Sequence, residues 1–243
     1  MRLFQQTANT LFKLNTDKLI VALDVSSLKE AQTLVERLSS EVRTFKVGKE
    51  LFTAVGPDVV RMIHSKGGRV FLDLKFHDIP NTVASACKSA ASLGVFMLNV
   101  HALGGSEMLR AAVKAAHEAK NPPLVLGVTV LTSLNSAGLK EVGIEKSVEQ
   151  EVENLAVLSN TCGLDGVVAS GHELEKIRKA VGKNFLVVTP GVRPAWAAAQ
   201  DQKRIMTPKQ AIEQGADFIV VGRPITQHKD PKHAAQKVLE EIQ

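Results

Sequence analysis

The sequence predicts a closed (β/α)8 barrel, a TIM barrel built as one domain over residues 1–243, and three observations carry that prediction. Eight short apolar runs recur along the chain, each followed by a turn and an amphipathic helical stretch. The runs are continuous in Val, Ile and Leu, as suits parallel strands covered by helices, and their βα alternation argues for a parallel sheet. At 243 residues the chain has the usual length of one such barrel. A doubly wound open sheet would show the same alternation, but no GxGxxG follows the first run.

The candidate strands are 19–24, 44–47, 69–74, 95–100, 124–130, 166–169, 185–189 and 218–221. Between them lie helix signals. Ser27 with Glu30 three residues later reads as a capping box, and Thr207-Pro208 places a cap and a first-turn proline before Gln210-Ala211-Ile212, with Gly215 as the stop. No Pro-rich or Ser/Gly-rich linker and no low-complexity segment divides the chain. Residues 1–18 precede the first strand and are expected to form an N-terminal extension that packs outside the barrel or caps it.

Composition narrows the function classes. A hydrophobic fraction of 44% supplies one large core and excludes a disordered chain. The net charge of +5 raises the question of nucleic acid. The basic residues are interleaved with acids, no Lys/Arg run reaches five, Tyr is absent and aromatics are 4%, so stacking platforms are scarce and a small anionic ligand explains the excess better. The apolar runs are strand-length and residues 1–18 lack an apolar signal region, so neither a membrane span nor secretion is expected and the location is read as cytoplasmic. Cys87 and Cys162 are far apart, each within a predicted helix, and without metal-ligand spacing they read as buried thiols.

The chemistry collects in Asp73-Leu74-Lys75-Phe76-His77-Asp78-Ile79-Pro80-Asn81-Thr82, where two carboxylates flank an ammonium directly after an apolar strand. Strand period 2 puts Phe71, Asp73 and Lys75 on one face and Val70, Leu72 and Leu74 on the other. Unlike charges placed there cost desolvation, which gives stability alone weak reason to keep them, although a salt-bridged strand end is the plain alternative. Catalytic groups of a barrel come from the C-terminal ends of its strands. By that test Asp24 closes the first run, Lys46 lies in the second, Asp73 and Lys75 close the third, Asn99-Val100-His101 the fourth, and Leu131-Thr132-Ser133 follows the fifth.

Each residue taken alone has a plain structural reading: Asp24 as a helix cap, Lys46 as a snorkelling side chain, Thr132 as a turn start. Together they gather alternating charges at one mouth. Asp24, Asp73, Asp78 and a histidine, His77 or His101, could also ligate a divalent cation, but Lys46 and Lys75 are poor neighbours for one. The stretches 132–146 and 190–206 exceed ordinary loop lengths of ~2–6 residues and read as lids. The second carries Arg193, Gln202 and Arg204, and the eighth run ends Val221-Gly222-Arg223-Pro224. A glycine beside an arginine lets backbone N–H groups approach an oxyanion while the guanidinium forks onto it, and the loops after strands seven and eight form the recurrent phosphate site of barrels. Trp196 reads as a packing anchor for its loop.

These segments, with Ile20-Val21-Ala22-Leu23-Asp24, Phe45-Lys46-Val47-Gly48, Val128-Thr129-Val130-Leu131-Thr132-Ser133 and Thr189-Pro190-Gly191-Val192-Arg193, closely resemble the bacterial orotidine 5′-phosphate decarboxylase family; only the first eighteen residues lack a matching motif. The resemblance implies loss of CO2 from orotidine 5′-monophosphate to give UMP, by a homodimeric barrel with shared active sites and no metal or organic cofactor. It implies that Lys75 is the catalytic lysine, that Lys46, Asp73 and Asp78 complete its charge network, and that Asp78 and Thr82 reach the partner subunit's site. It further implies Asp24 and Lys46 on the ribose hydroxyls, Thr132 on the pyrimidine, and Arg193, Gln202, Gly222 and Arg223 on the phosphate side.

Two rivals remain at the level of sequence. A metal-dependent sugar-phosphate decarboxylase or aldolase of the 3-keto-gulonate-phosphate decarboxylase kind shares the Asp-x-Lys-x-x-Asp core, but that group places an acidic metal ligand on the second strand, where this chain has Lys46. An inert phosphate-binding barrel would keep the arginine loop without chemistry, whereas here all the core charges are present.

Overall fold

A computed structural model describes residues 15–197 and 206–243, in which eight parallel strands close in sequence order, β1 pairing with both β2 and β8. The strands are β1 (Leu19–Ala22), β2 (Thr44–Gly48), β3 (Arg69–Phe76), β4 (Met97–His101), β5 (Leu124–Val128), β6 (Gly166–Val168), β7 (Leu186–Thr189) and β8 (Phe218–Val221). Each expected run is a strand, with ends displaced by at most two residues. At the ends of β1 and β5 the observed strand is shorter because apolar burial outlasts the ladder: Leu23 and Val130 are buried beyond the last residues of their strands.

Alternation along the strands feeds two cores. Ile20, Phe71, Met97, Leu126, Val188 and Phe218 fill the lumen of the barrel. Val21, Phe45, Val47, Leu72, Leu98 and Val187 point outward and pack with helix residues such as Val35, Ile63, Leu109 and Val238. Burying a side chain of this size stabilises the fold by about 1.5–3 kcal/mol, so both faces of the strands contribute and a register slip by one residue would exchange the cores.

The N-terminal floor is polar. Asp17, 2% exposed in the short helix Asn15–Lys18, accepts from Arg69 Nη2 at 2.8 Å, and Arg69 also donates to Thr44 Oγ1 while its guanidinium lies over the Phe96 ring at 4.3 Å. The remainder of the expected extension, residues 1–14, lies outside the described residues. A related device recurs at two other strand starts. Asp165 Oδ2 accepts the Val125 N–H at 2.8 Å and Asp217 Oδ2 accepts the Val187 N–H at 2.7 Å, each satisfying the amide of the second residue of the neighbouring strand.

Helix starts follow the predicted chemistry in part. Thr207 and Gln210 form a full reciprocal capping box. Ser27 Oγ accepts from the Glu30 N–H, but the Glu30 carboxylate takes the Ser27 hydroxyl at 2.7 Å instead of the Ser27 backbone, so only half of that box exists. Ser147 and Gln150 form a second full box. Both cysteines are free and buried; Cys162 sits just past the helix Val148–Thr161 instead of inside it, and burial pushes the Cys87 thiol up to about 12.

Of the two long connections, the one after β5 carries a helix of its own, Ser136–Glu141. The one after β7 begins with Val192 bridged in parallel to Met206 and with the Arg193 N–H donating to the Met206 carbonyl at 3.0 Å; residues 198–205 within it are outside the described residues. Trp196 in this connection meets the His228 ring edge-on at 5.9 Å, with Lys237 Nζ 5.6 Å from its centroid, which is the packing role expected of it. No helix among the described residues is long and apolar enough to cross a membrane.

Candidate active site

The C-terminal end of the barrel carries a row of alternating charges on three consecutive strands. Lys46, on the lumen face of β2, places Nζ 3.3 Å from Asp24 Oδ1 beyond β1 and 3.3 Å from Asp73 Oδ2 on β3. The other oxygen of Asp73 accepts from Lys75 Nζ at 2.5 Å. The side chains of Lys46 and Asp73 are each 14% exposed, so the pairs are largely withdrawn from water and attract more strongly than surface pairs. Burial pushes the Asp73 carboxyl up, but the charges of Lys46 and Lys75 and the hydrogen bonds from Lys75 and Asn99 outweigh it and hold Asp73 below the usual carboxylate range. Asp73 is therefore ionised at neutral pH.

Two glycines make room for the row. A Cβ on Gly48 would stand 3.1 Å from Lys46 Nζ, and one on Gly222 would stand 3.3 Å from Asp24 Oδ2. Gly222 thus brings the start of the last βα connection against the end of the first strand, a proximity that follows from the closure of β8 onto β1.

Lys75 is held by an irregular backbone. The β3–β4 register runs Phe71↔Met97 and Leu72↔Leu98 and resumes at Phe76↔Val100, so Asp73, Leu74 and Lys75 stand opposite Asn99 alone. Among the described residues Lys75 is the one non-glycine with positive φ, at 51°. A left-handed lysine costs about 1 kcal/mol or more. Because three residues oppose one, the slip is even and alternation survives it: Phe71 stays in the lumen, Leu72 and Leu74 stay outside, and Asp73 and Lys75 meet at the mouth.

Asn99, 0% exposed, occupies the gap. Its Oδ1 accepts the Lys75 N–H at 2.8 Å and its Nδ2 donates to Asp73 Oδ1 at 2.7 Å. Reading the sequence gave Asn99 no role beyond a polar strand end; the available signal was its lumen-side parity with Met97 and His101. His101 continues that face and stacks on His77 with centroids 5.3 Å apart. Burial first, then the nearby His77, Lys75 and Lys49, push the His101 imidazole down to about 4, so it is neutral at pH 7.

The other expected site residues divide. Asp24, Lys46, Asp73, Lys75 and Gly222 come together as described. Asp78 and Thr82 are exposed; Asp78 Oδ1 accepts its neighbour's Ile79 N–H at 2.6 Å, and the ion pairs of Lys46 and Lys75 among the described residues go to Asp24 and Asp73. Thr132 is exposed in the connection after β5. Arg223 is exposed at the first position of the helix Arg223–Thr226, directly after Gly222, while Arg193 is 5% exposed at the base of the β7 connection. Gln202, like Arg204, lies outside the described residues. The arrangement presents a fixed ammonium, clamped by an ionised acid at the barrel mouth, with a glycine–arginine helix start lying against Asp24 at the other end of the charged row.

A family model for orotidine 5′-phosphate decarboxylase / HUMPS matches residues 17–238. The chain belongs to this family. It is 56% identical over 230 residues to the orotidine 5′-phosphate decarboxylase of Syntrophotalea carbinolica, with 93% of this chain and 94% of that protein covered. To the orotidine 5′-phosphate decarboxylase of Moorella thermoacetica it is 53% identical over 233 residues, covering 93% and 92%. The crystal structure of orotidine 5′-phosphate decarboxylase from Lactobacillus acidophilus superposes with a TM-score of 0.83 at 39% identity, covering 93% of this chain and 99% of that one. The family match begins at Asp17, so the floor residue that anchors Arg69 is included in it.

Proposed function

We propose that this family member decarboxylates orotidine 5′-monophosphate to UMP, with Lys75 as the group that stabilises and protonates the reacting carbon. Cleavage of the C6–carboxylate bond releases CO2 and leaves its electron pair in an sp2 orbital at C6, which the ring cannot delocalise as a simple enolate. A positive charge fixed beside C6 lowers the energy of that carbanion, and transfer of a Lys75 Nζ proton to C6 completes UMP and leaves the amine neutral. Asp73, held ionised, keeps Lys75 oriented and its charge in place before each turnover.

The observation that carries this reading is the Lys46–Asp73–Lys75 row. It also favours it over the metal-dependent alternative, since an ammonium occupies the second-strand position where that group has an acidic ligand. No metal or organic cofactor is assigned a part. In the same proposal Asp24 and Lys46 hold the ribose hydroxyls, Thr132 the pyrimidine, and Arg193, Gln202, Gly222 and Arg223 the phosphate side. Lowering a very slow reaction's barrier by up to about 23 kcal/mol exceeds what one lysine supplies, so phosphate binding energy used to close the two long connections is part of the mechanism.

The proposal includes a cytoplasmic homodimer in which Asp78 and Thr82 serve the partner's site. Support comes from Ile79, which is 65% exposed between them, and from Leu103 and Leu131, 41% and 38% exposed on the connections after β4 and β5. Apolar side chains gathered at one rim mark an interaction surface.

The deciding experiment follows orotidine monophosphate turnover by ultraviolet absorbance after exhaustive metal removal, for wild type and Lys75→Ala. Full wild-type rate with a variant slowed by at least about 10⁴-fold is the expected result. Loss of wild-type activity on chelation would favour the metal-dependent alternative.

A further inference from the structure

We infer that Asn99 is a positioning residue that builds the reactive geometry of Lys75 by holding its backbone and its acidic partner from one side chain. The inference rests on the reading of Lys75 as the proton donor and extends it to a residue that meets neither substrate nor reacting atom. The β3–β4 ladder is interrupted opposite Asn99, and the interruption leaves the Lys75 N–H without its strand partner. Asn99 Oδ1 takes that N–H at 2.8 Å. The same amide's Nδ2 donates at 2.7 Å to Asp73 Oδ1, the oxygen that accepts from Lys75 Nζ at 2.5 Å.

Three hydrogen bonds therefore close a loop through the Lys75 backbone, the Asn99 amide, the Asp73 carboxylate and the Lys75 ammonium. A planar amide with one acceptor and a donor group on opposite sides is the side chain this loop requires: an acid lacks the donor and a hydroxyl is shorter. The loop also accounts for the strained φ of 51° at Lys75, which a lysine leaves unless its surroundings hold it there. Asn99 is 0% exposed and its own strand pairing with Leu126 is regular, so it is a rigid support.

The experiment uses Asn99→Ala and the near-isosteric Asn99→Asp, assayed with orotidine monophosphate beside wild type, with UMP affinity measured by calorimetry. For Asn99→Ala, kcat falls roughly 100-fold, the size of effect expected when a reacting group is displaced by about 1 Å, while UMP affinity changes by less than about threefold. For Asn99→Asp the new carboxylate still accepts the Lys75 N–H but opposes Asp73. Its rate relative to wild type is lowest near pH 8 and rises by about 10-fold or more toward pH 5, as the introduced carboxyl gains a proton and donates to Asp73. A crystal structure of either variant is expected to show Lys75 out of the left-handed region or Nζ withdrawn from Asp73.

A folded Asn99→Ala with kcat within threefold of wild type, a proportionate loss of UMP binding, or an Asn99→Asp rate ratio flat with pH overturns the inference. So does a variant crystal structure in which Lys75 keeps both its φ and its contact with Asp73, and this outcome is decisive whichever reaction the wild type catalyses. An inactive wild type whose variants show Lys75 displaced would instead overturn the proposed function and leave the positioning role standing.

Discussion

Lys46 and Lys75 share one carboxylate: Lys46 Nζ stands 3.3 Å from Asp73 Oδ2 and Lys75 Nζ 2.5 Å from Asp73 Oδ1. Two ammonium groups held this close repel unless the acid between them stays charged, so the pair is stable only as a triad.

Replacing Asp73 by Asn keeps the shape and removes the charge. Lys46 retains Asp24, whose side chain is 53% exposed, but Lys75 is left facing a neutral amide. Breaking such a pair from one side costs about 3–5 kcal/mol. Asp73→Asn is therefore expected to unfold at distinctly lower urea concentration and to lose at least about 100-fold in kcat. Because the folded carboxyl lies below its unfolded range, the acid's contribution is present above about pH 4 and lost as pH falls through the folded value. The stability gap between wild type and variant should accordingly be constant from pH 5 to 8. A gap that closes within that window, or an unimpaired kcat, contradicts the triad.

The acid limb of the wild type has a separate source in His101. Its imidazole is pushed from 6.5 down to about 4, first by burial and then by His77, Lys75 and Lys49. The folded state therefore holds it neutral where the unfolded chain takes a proton, so stability is full above about pH 6.5 and declines as pH falls toward 4, by about 2–3 kcal/mol from this residue. His101→Gln should show a shallower decline over that interval in urea titrations at stepped pH. Parallel curves for the two proteins would remove His101 from the account.

The barrel was legible because period 2 and the βα repeat are properties of apolar side chains, which sequence displays directly. Asp73 and Lys75 were legible for the same reason: the slip opposite Asn99 is even, so counting by twos from Phe71 still reached the lumen face. Asn99 was not, because its partners are defined only once the register of β3 on β4 is known. The left-handed Lys75 carries no sequence mark, as glycine would. Gly222 was legible as a close-approach residue, but the group it approaches, Asp24, lies at the other end of the chain and meets it only through barrel closure. Asp78 and Thr82 follow Lys75 by a few positions yet turn to solvent within one chain, as the proposal that they serve the partner's site requires.

That outward turn leads to a prediction about shared sites. If Asp78 serves the partner's Lys75, a Lys75→Ala chain and an Asp78→Asn chain each fail alone as homodimers, for different reasons. Mixed and allowed to exchange subunits, they form a hybrid in which one site has both defects and the other has neither. With random pairing, half the dimers are hybrids and half of their sites are intact, so activity should return to roughly one quarter of wild type. Recovery should follow the rate of subunit exchange, and Ile79→Asp, which places a charge at the exposed apolar rim, should abolish it together with the dimer seen by sedimentation. Mixtures that stay inactive although hybrids are detected by mass spectrometry would place Asp78 in its own subunit's chemistry, and an Asp78→Asn homodimer active by itself would place it outside the chemistry. Activity that returns without hybrid formation would point to contamination instead of complementation.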